Sequence, residues 1–113
     1  MPHVRVEFSK GLEDSHDMQA LCERLFDALA GQDDFDAPAI KVRATAAEFF
    51  HIGTEPQTFA HATLMLMGGR DEDTRKRLNQ VILDVLAEQL PDVGSLTVQD
   101  LEMTRTTYAR RLL

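Results

Sequence analysis

The sequence predicts an α+β fold in which duplicated β-α-β units form a four-stranded sheet with two helices on one face. Three observations carry this. Amphipathic helical stripes occur twice, an alternating strand-like segment precedes each of them, and the two halves superimpose at an offset of 57 to 58 residues. At that offset His3 falls on His61, Val6 on Leu64, Leu25 on Ile82 and Leu29 on Leu86.

The first strand is His3 to Phe8, where Val4, Val6 and Phe8 share one face and His3, Arg5 and Glu7 the other, the period-two pattern of a half-buried strand. The first helix follows from Met18, Leu21, Cys22, Leu25 and Leu29, whose spacings of three and four form one stripe. Asp14 or Ser15 is its expected cap and Gly31 its expected left-handed stop. Ala39 to Ala44 reads as a short strand with Lys41 and Arg43 on one face. Gly53, Thr54, Glu55 and Pro56 read as a turn, which lets Glu48 to Ile52 pair back on Phe59 to Met67 as a hairpin.

Phe59 to Met67 again alternates, Ala62, Leu64 and Leu66 opposing His61, Thr63 and Met65. Gly68, Gly69 and Arg70 join it to a second helix, capped by Asp71, striped by Leu78, Val81, Ile82, Val85, Leu86 and Leu90, and stopped by Pro91. Ser95 to Met103 is the last strand candidate. Right-handed crossovers make the strands of each unit parallel and put both helices on one sheet face. The other face is left open, and its mixture of His3, Arg5, His61, Thr63, Met65 and Met67 predicts self-association.

A chain of 113 residues has length for a single domain, here residues 1–113 with pseudo-repeats at about 2–46 and 59–103. Its 43% apolar and 27% charged residues are those of an ordinary globular chain. No apolar run is long enough to span a bilayer, and Met1 to Arg5 lacks a signal-peptide core. The single cysteine, Cys22, leaves no internal disulfide and no multi-cysteine zinc site. These features predict a cytoplasmic protein with no membrane partner. A net charge of −7 opposes nucleic-acid binding, but not binding of a small anion where a few cations converge in one cleft.

The candidate chemistry lies at Pro2, Arg70, Lys41 and Arg43. Methionine before proline is commonly trimmed, which leaves Pro2 with a free secondary amine. Desolvation and nearby cations lower the pKa of such an amine and make it a neutral general base near pH 7. Arg70 follows two glycines at a helix start, where backbone N–H groups favour an anion and a guanidinium can take a carboxylate bidentately. The four histidines have no zinc-site spacing, and no nucleophile elbow, phosphate loop or dinucleotide fingerprint occurs. Cys22 is expected as a small buried hydrophobe. Arg75, Lys76 and Arg77 are expected on a solvated helix face, and Asp33, Asp34 and Asp36 in a solvated loop.

The opening Pro2-His3 with Glu7 and Ser9, the strand Ala39-Ile40-Lys41-Val42-Arg43, and the segment from Phe59 to Arg70 together resemble 5-carboxymethyl-2-hydroxymuconate isomerase of the tautomerase superfamily. The resemblance implies a homotrimer, a tautomerase-like fold, and no metal or organic cofactor. It also implies keto–enol isomerisation of an unsaturated polycarboxylate, as in aromatic catabolism, with Pro2 as base. Arg70 carries over as a catalytic cation and Arg43 as a substrate-binding one. Lys41 stands where the family pattern has arginine, keeping the charge but not the planar fork. The family's tryptophan-bearing stretch after this strand is replaced by Ala44 to Phe50. The alternative reading is a non-catalytic trimeric module on the same scaffold.

Overall fold

The computed structural model describes Met1–Leu113. The chain runs β1 (His3–Ser9), α1 (Leu12–Ser15), α2 (Met18–Ala30), a 3-10 turn (Ala37–Ala39), β2 (Lys41–Ala47), β3 (Phe59–Met67), α3 (Glu72–Gln89) and β4 (Ser95–Met103). The four strands form one sheet in the order β2-β1-β3-β4. β1 runs parallel to β2 and β3 parallel to β4, as β-α-β crossovers require. The halves join through the antiparallel β1–β3 pair.

The duplication is visible in that central register. His3 pairs with Met65 and Glu7 with His61, so a shift of 58 residues exchanges the two pairs. Arg5 and Thr63 face each other at the pseudo-twofold axis. Both repeats therefore aim the same strand face at their helices. Val4, Val6 and Phe8 of β1 and Ala60, Ala62, Leu64 and Leu66 of β3 are buried against Leu21, Leu25 and Leu29 of α2 and Leu78, Ile82, Val85 and Leu86 of α3. Each such leucine or isoleucine contributes about 1.5–3 kcal/mol by leaving water. At the inner end of β1 the buried Ser9 hydroxyl accepts from Phe59 N–H at 2.7 Å, closing the ladder where the strands diverge.

Several local expectations are corrected. Leu12–Ser15 forms its own short helix, which buries Leu12 and ends at the extended His16. The cap of α2 is therefore Asp17, whose carboxylate accepts from Ala20 N–H at 2.9 Å, and not Asp14 or Ser15. Gly31 ends α2 in right-handed geometry, with φ −76°, because its N–H still reaches the Asp27 carbonyl. Strand β2 begins at Lys41 and not at Ala39, since Ala37–Ala39 is wound into the 3-10 turn around Pro38. Glu48 to Ile52 forms no hairpin: β1 and β4 occupy both edges of β3. Phe50 instead packs edge-on against Phe59 at 5.5 Å.

Arg75 is not on a solvated face, whereas Lys76 and Arg77 are exposed as expected. Asp100 points to the helix side of β4 with its side chain 13% exposed, and receives Arg75 Nε at 2.7 Å and Asn79 Nδ2 at 3.0 Å. Burial pushes the Asp100 carboxyl up, but these donors outweigh it and hold the group below the usual carboxylate range. Arg77 Nη2 lies 2.6 Å from Asp34, so that aspartate is tied to α3 and is not free in its loop. Cys22 sits half-buried beside a groove of about 460 Å³ between α2 and β2. Burial and Glu23 push its thiol pKa up, which keeps it protonated and a poor nucleophile.

Candidate active site

Topology brings three separate parts of the chain to the N-terminus. The antiparallel β1–β3 register sets His3 beside Met65, just before the Gly68-Gly69-Arg70 junction. The parallel β1–β2 register sets Lys41 beside His3, and Lys41 N–H donates to the Pro2 carbonyl at 3.0 Å. Strand β4 ends at Met103, paired with Met67, and delivers the residues after it to the same end of the sheet.

Pro2 is fully buried at the head of β1. With Met1 attached, the Pro2 nitrogen is an amide and the α-amine belongs to Met1. Burial lowers that amine below its ordinary value of 8.0, and Arg70, Arg110, Lys41 and Arg105 lower it further, in that order. Each cation disfavours a second positive charge nearby. None of these four, nor Arg43, has a carboxylate partner, whereas Lys10, Arg24, Arg75, Lys76 and Arg77 all form ion pairs. In a chain of net charge −7, four of the cations without a carboxylate partner act on the N-terminus.

Arg70 is held at the junction by its surroundings. Gly69, at φ 118°, takes the left-handed bend that other residues avoid. A Cβ on Gly68 would stand 2.9 Å from a Glu102 carboxylate oxygen. The Arg70 guanidinium donates from Nη2 to the Asp34 carbonyl at 2.8 Å and lies over the Phe35 ring at 5.0 Å. Of its five N–H groups, those not used on Asp34 and, at 3.5 Å, on the Met67 carbonyl stay available to an anion. The start of α3, by contrast, is not a vacant anion site, because the Asp71 carboxylate already accepts from Thr74 N–H at 2.8 Å.

Lys41 and Arg43 lie exposed on the open face of β2, as their spacing predicts. Lys41 Nζ donates to the Ala39 carbonyl at 3.2 Å, and Arg43 reaches across to His3 Nδ1 at 3.2 Å. Burial first, then Arg43 and Lys41, hold the His3 pKa below 6.5. Pro2, Lys41, Arg43 and Arg70 are thus gathered around one end of the sheet, although Pro2 and Arg70 line no cavity of the single chain. Arg105, Tyr108 and Arg110 also reach this end and were not singled out from sequence. Their only signal is composition: residues 104–113 carry three arginines and no acid in an otherwise acidic chain.

The sequence profile of the 5-carboxymethyl-2-hydroxymuconate isomerase family matches residues 2–106. The chain belongs to that family. It is an isomerase on the tautomerase fold. A solved 5-carboxymethyl-2-hydroxymuconate delta-isomerase is 25% identical with a TM-score of 0.82, covering 99% of this chain and 88% of that one. A 5-carboxymethyl-2-hydroxymuconate isomerase from Deinococcus radiodurans R1 is 22% identical with a TM-score of 0.83, over 97% and 88% of the two chains. A fused 4-OT solved as an asymmetric trimer shares the fold at 19% identity and a TM-score of 0.80, over 96% and 91%. No curated protein matches the sequence. No helix of this family member is long and apolar enough to cross a membrane.

Proposed function

We propose that this isomerase acts on a 2-hydroxymuconate-type unsaturated polycarboxylate, of which 5-carboxymethyl-2-hydroxymuconate is the type, with Pro2 as general base once Met1 is removed. The observation that carries the reading is the convergence of four carboxylate-free cations on the chain start, where Pro2 is buried. They serve two ends: they hold an anionic substrate, and they keep the amine neutral and basic near pH 7.

The Pro2 nitrogen takes the proton of the 2-hydroxyl and returns a proton to a carbon of the conjugated chain, so the dienol becomes a ketone with no net change in composition. Arg70 and Arg43 orient the carboxylates, and Arg70 stabilises the negative charge that spreads over the conjugated system during transfer. Lys41 adds charge without the fork. No step calls on a metal or organic cofactor. The open sheet face and the exposed position of Lys41 and Arg43 support a homotrimer whose neighbouring subunit closes the pocket.

Intact mass first establishes that Met1 is absent, and turnover of a 2-hydroxymuconate dienol is then followed by ultraviolet absorbance. Pro2→Ala is expected to lower kcat by about 10²-fold, in the range of a displaced general base. Protein that keeps Met1 is expected to be slower still. Full activity in Met1-bearing protein refutes the proline mechanism.

A further inference from the structure

The loop that leaves α2 has little backbone bonding of its own. Within residues 32–36 the single backbone hydrogen bond runs from Phe35 N–H to the Gln32 carbonyl at 3.5 Å, the outer limit of such a contact. What fixes the loop is Arg77 of α3, which donates from Nη1 to Gln32 Oε1 at 2.8 Å and from Nη2 to Asp34 Oδ1 at 2.6 Å. Asp34 is also gripped through its backbone: its carbonyl accepts from Arg70 Nη2 at 2.8 Å, and Phe35, the next residue, lays its ring against the Arg70 guanidinium at 5.0 Å. One aspartate thus serves two arginines, its carboxylate on Arg77 and its carbonyl on Arg70.

We propose that Arg77 is a positioning residue for the isomerisation: by holding the Asp34 carboxylate it keeps that acid off Arg70 and leaves the Arg70 fork open to the substrate carboxylate. This rests on the isomerase reading above and adds to it a residue that acts through Arg70 without touching substrate. A carboxylate beside a half-buried guanidinium forms a charge-assisted pair with it unless something else holds the acid. The Asp34 carbonyl already stands 2.8 Å from Arg70, so a carboxylate released from Arg77 is a rotation about Cα–Cβ away from the same guanidinium. An Arg70–Asp34 pair would then occupy the donors that a carboxylate ligand needs. Magnitudes separate this role from a structural one. The Arg77 and Asp34 side chains are 47% and 20% exposed, and an ion pair in such a position adds little to stability. An arginine engaged by an internal acid, by contrast, loses about 10-fold or more in affinity for an external one.

The test uses protein lacking Met1, with dienol turnover followed by absorbance and binding of pentanedioate, a non-reacting dicarboxylate, followed by calorimetry. Arg77→Ala is expected to weaken pentanedioate binding and lower kcat/KM about 10-fold, mainly through KM, with the melting temperature within about 5 °C of wild type. Adding Asp34→Asn, whose amide has no charge with which to compete, should return both to within about threefold of wild type. Damage to the helix or the loop would not be repaired in this way. In an Arg70→Ala background, Arg77→Ala should cost less than about twofold, because the group it protects is gone. Arg77→Ala indistinguishable from wild type overturns the proposal, as does a double variant no better than Arg77→Ala, or the same loss with and without Arg70. If Arg70→Ala itself changes neither turnover nor binding, the reading of the site fails together with this inference. If Arg70→Ala is impaired and Arg77→Ala is not, this inference fails alone. A protein that shows the binding pattern yet turns over no dienol keeps the role of Arg77 and loses the assignment of substrate.

Discussion

Replacing Arg70 by alanine removes a charge, a planar donor fork and the contact that seats the fork on Asp34 and Phe35. Because the guanidinium is already positioned, a carboxylate meets it without a further ordering cost, and the lost charge-assisted contact is about 1.5–3 kcal/mol. At about 2.7 kcal/mol this is 10²-fold in kcat/KM; the retained Lys41, Arg43, Arg105 and Arg110 keep the loss from being total. Arg70→Lys restores the charge but neither the fork nor the stack on Phe35, so a loss of about 10-fold is expected. A second signature separates this from simple damage. In the Met1-bearing chain Arg70 is the leading charge that lowers the α-amine, and a free Pro2 amine one residue on is expected to feel the same charge. The base must be neutral, so the rate falls as pH drops through the lowered pKa, and removing Arg70 should move that acidic limb to higher pH. The segment around Asp34 keeps its bond to Arg77, so the melting temperature should fall by no more than about 5 °C. The assay is dienol ketonisation followed by absorbance across pH. A kcat/KM within threefold of wild type, or an acidic limb that does not move, refutes the role given to Arg70.

Three further outcomes are expected. Sedimentation equilibrium should give three chain masses, and a stable monomer at micromolar concentration would remove the shared pocket. Lys41→Arg, which restores the family's fork, should keep or raise kcat/KM for the polycarboxylate; a fall beyond 10-fold would mean that the rim is built around the lysine. Arg75→Ala should lower the melting temperature, because it leaves the largely buried Asp100 with only Asn79, while kcat/KM stays close to wild type. An unchanged melting temperature would refute the structural role of that pair.

How much was legible from residues alone depended on how local each signal was. The stripes of α2 and α3 and the alternation of β1 and β3 were readable because period and burial are set by neighbours three, four or two positions away. The Asp71 cap and the Pro91 stop are equally local. The misplaced starts at Asp17 and Lys41, and the right-handed geometry of the correctly placed Gly31 stop, each turned on which of two nearby capping or turn geometries the rest of the fold favoured. The hairpin expectation failed for a non-local reason: Glu48 to Ile52 has a turn after it, but only the sheet order shows that β3 has no free edge.

The candidate site divides along the same line. Pro2, Arg70, Lys41 and Arg43 were marked by motif and by resemblance, since each sits next to a local signal: the chain start, a Gly-Gly junction, a strand face. Arg75 was misread because its partners Asp100 and Glu102 lie 25 and 27 residues away on β4, on the face that also carries Leu96 and Val98. Tyr108 stayed hidden because its partner His3 is 105 residues away. Thus the sequence by itself determined the duplicated β-α-β order, the helix-facing core and the residues fit for proton transfer and carboxylate binding, all properties of short windows and of the repeat. Only the tertiary structure decided which cations are spent on ion pairs and which converge on the N-terminus. That choice follows from an antiparallel register between the two repeats, which sets the start of the first strand beside the ends of the third and fourth.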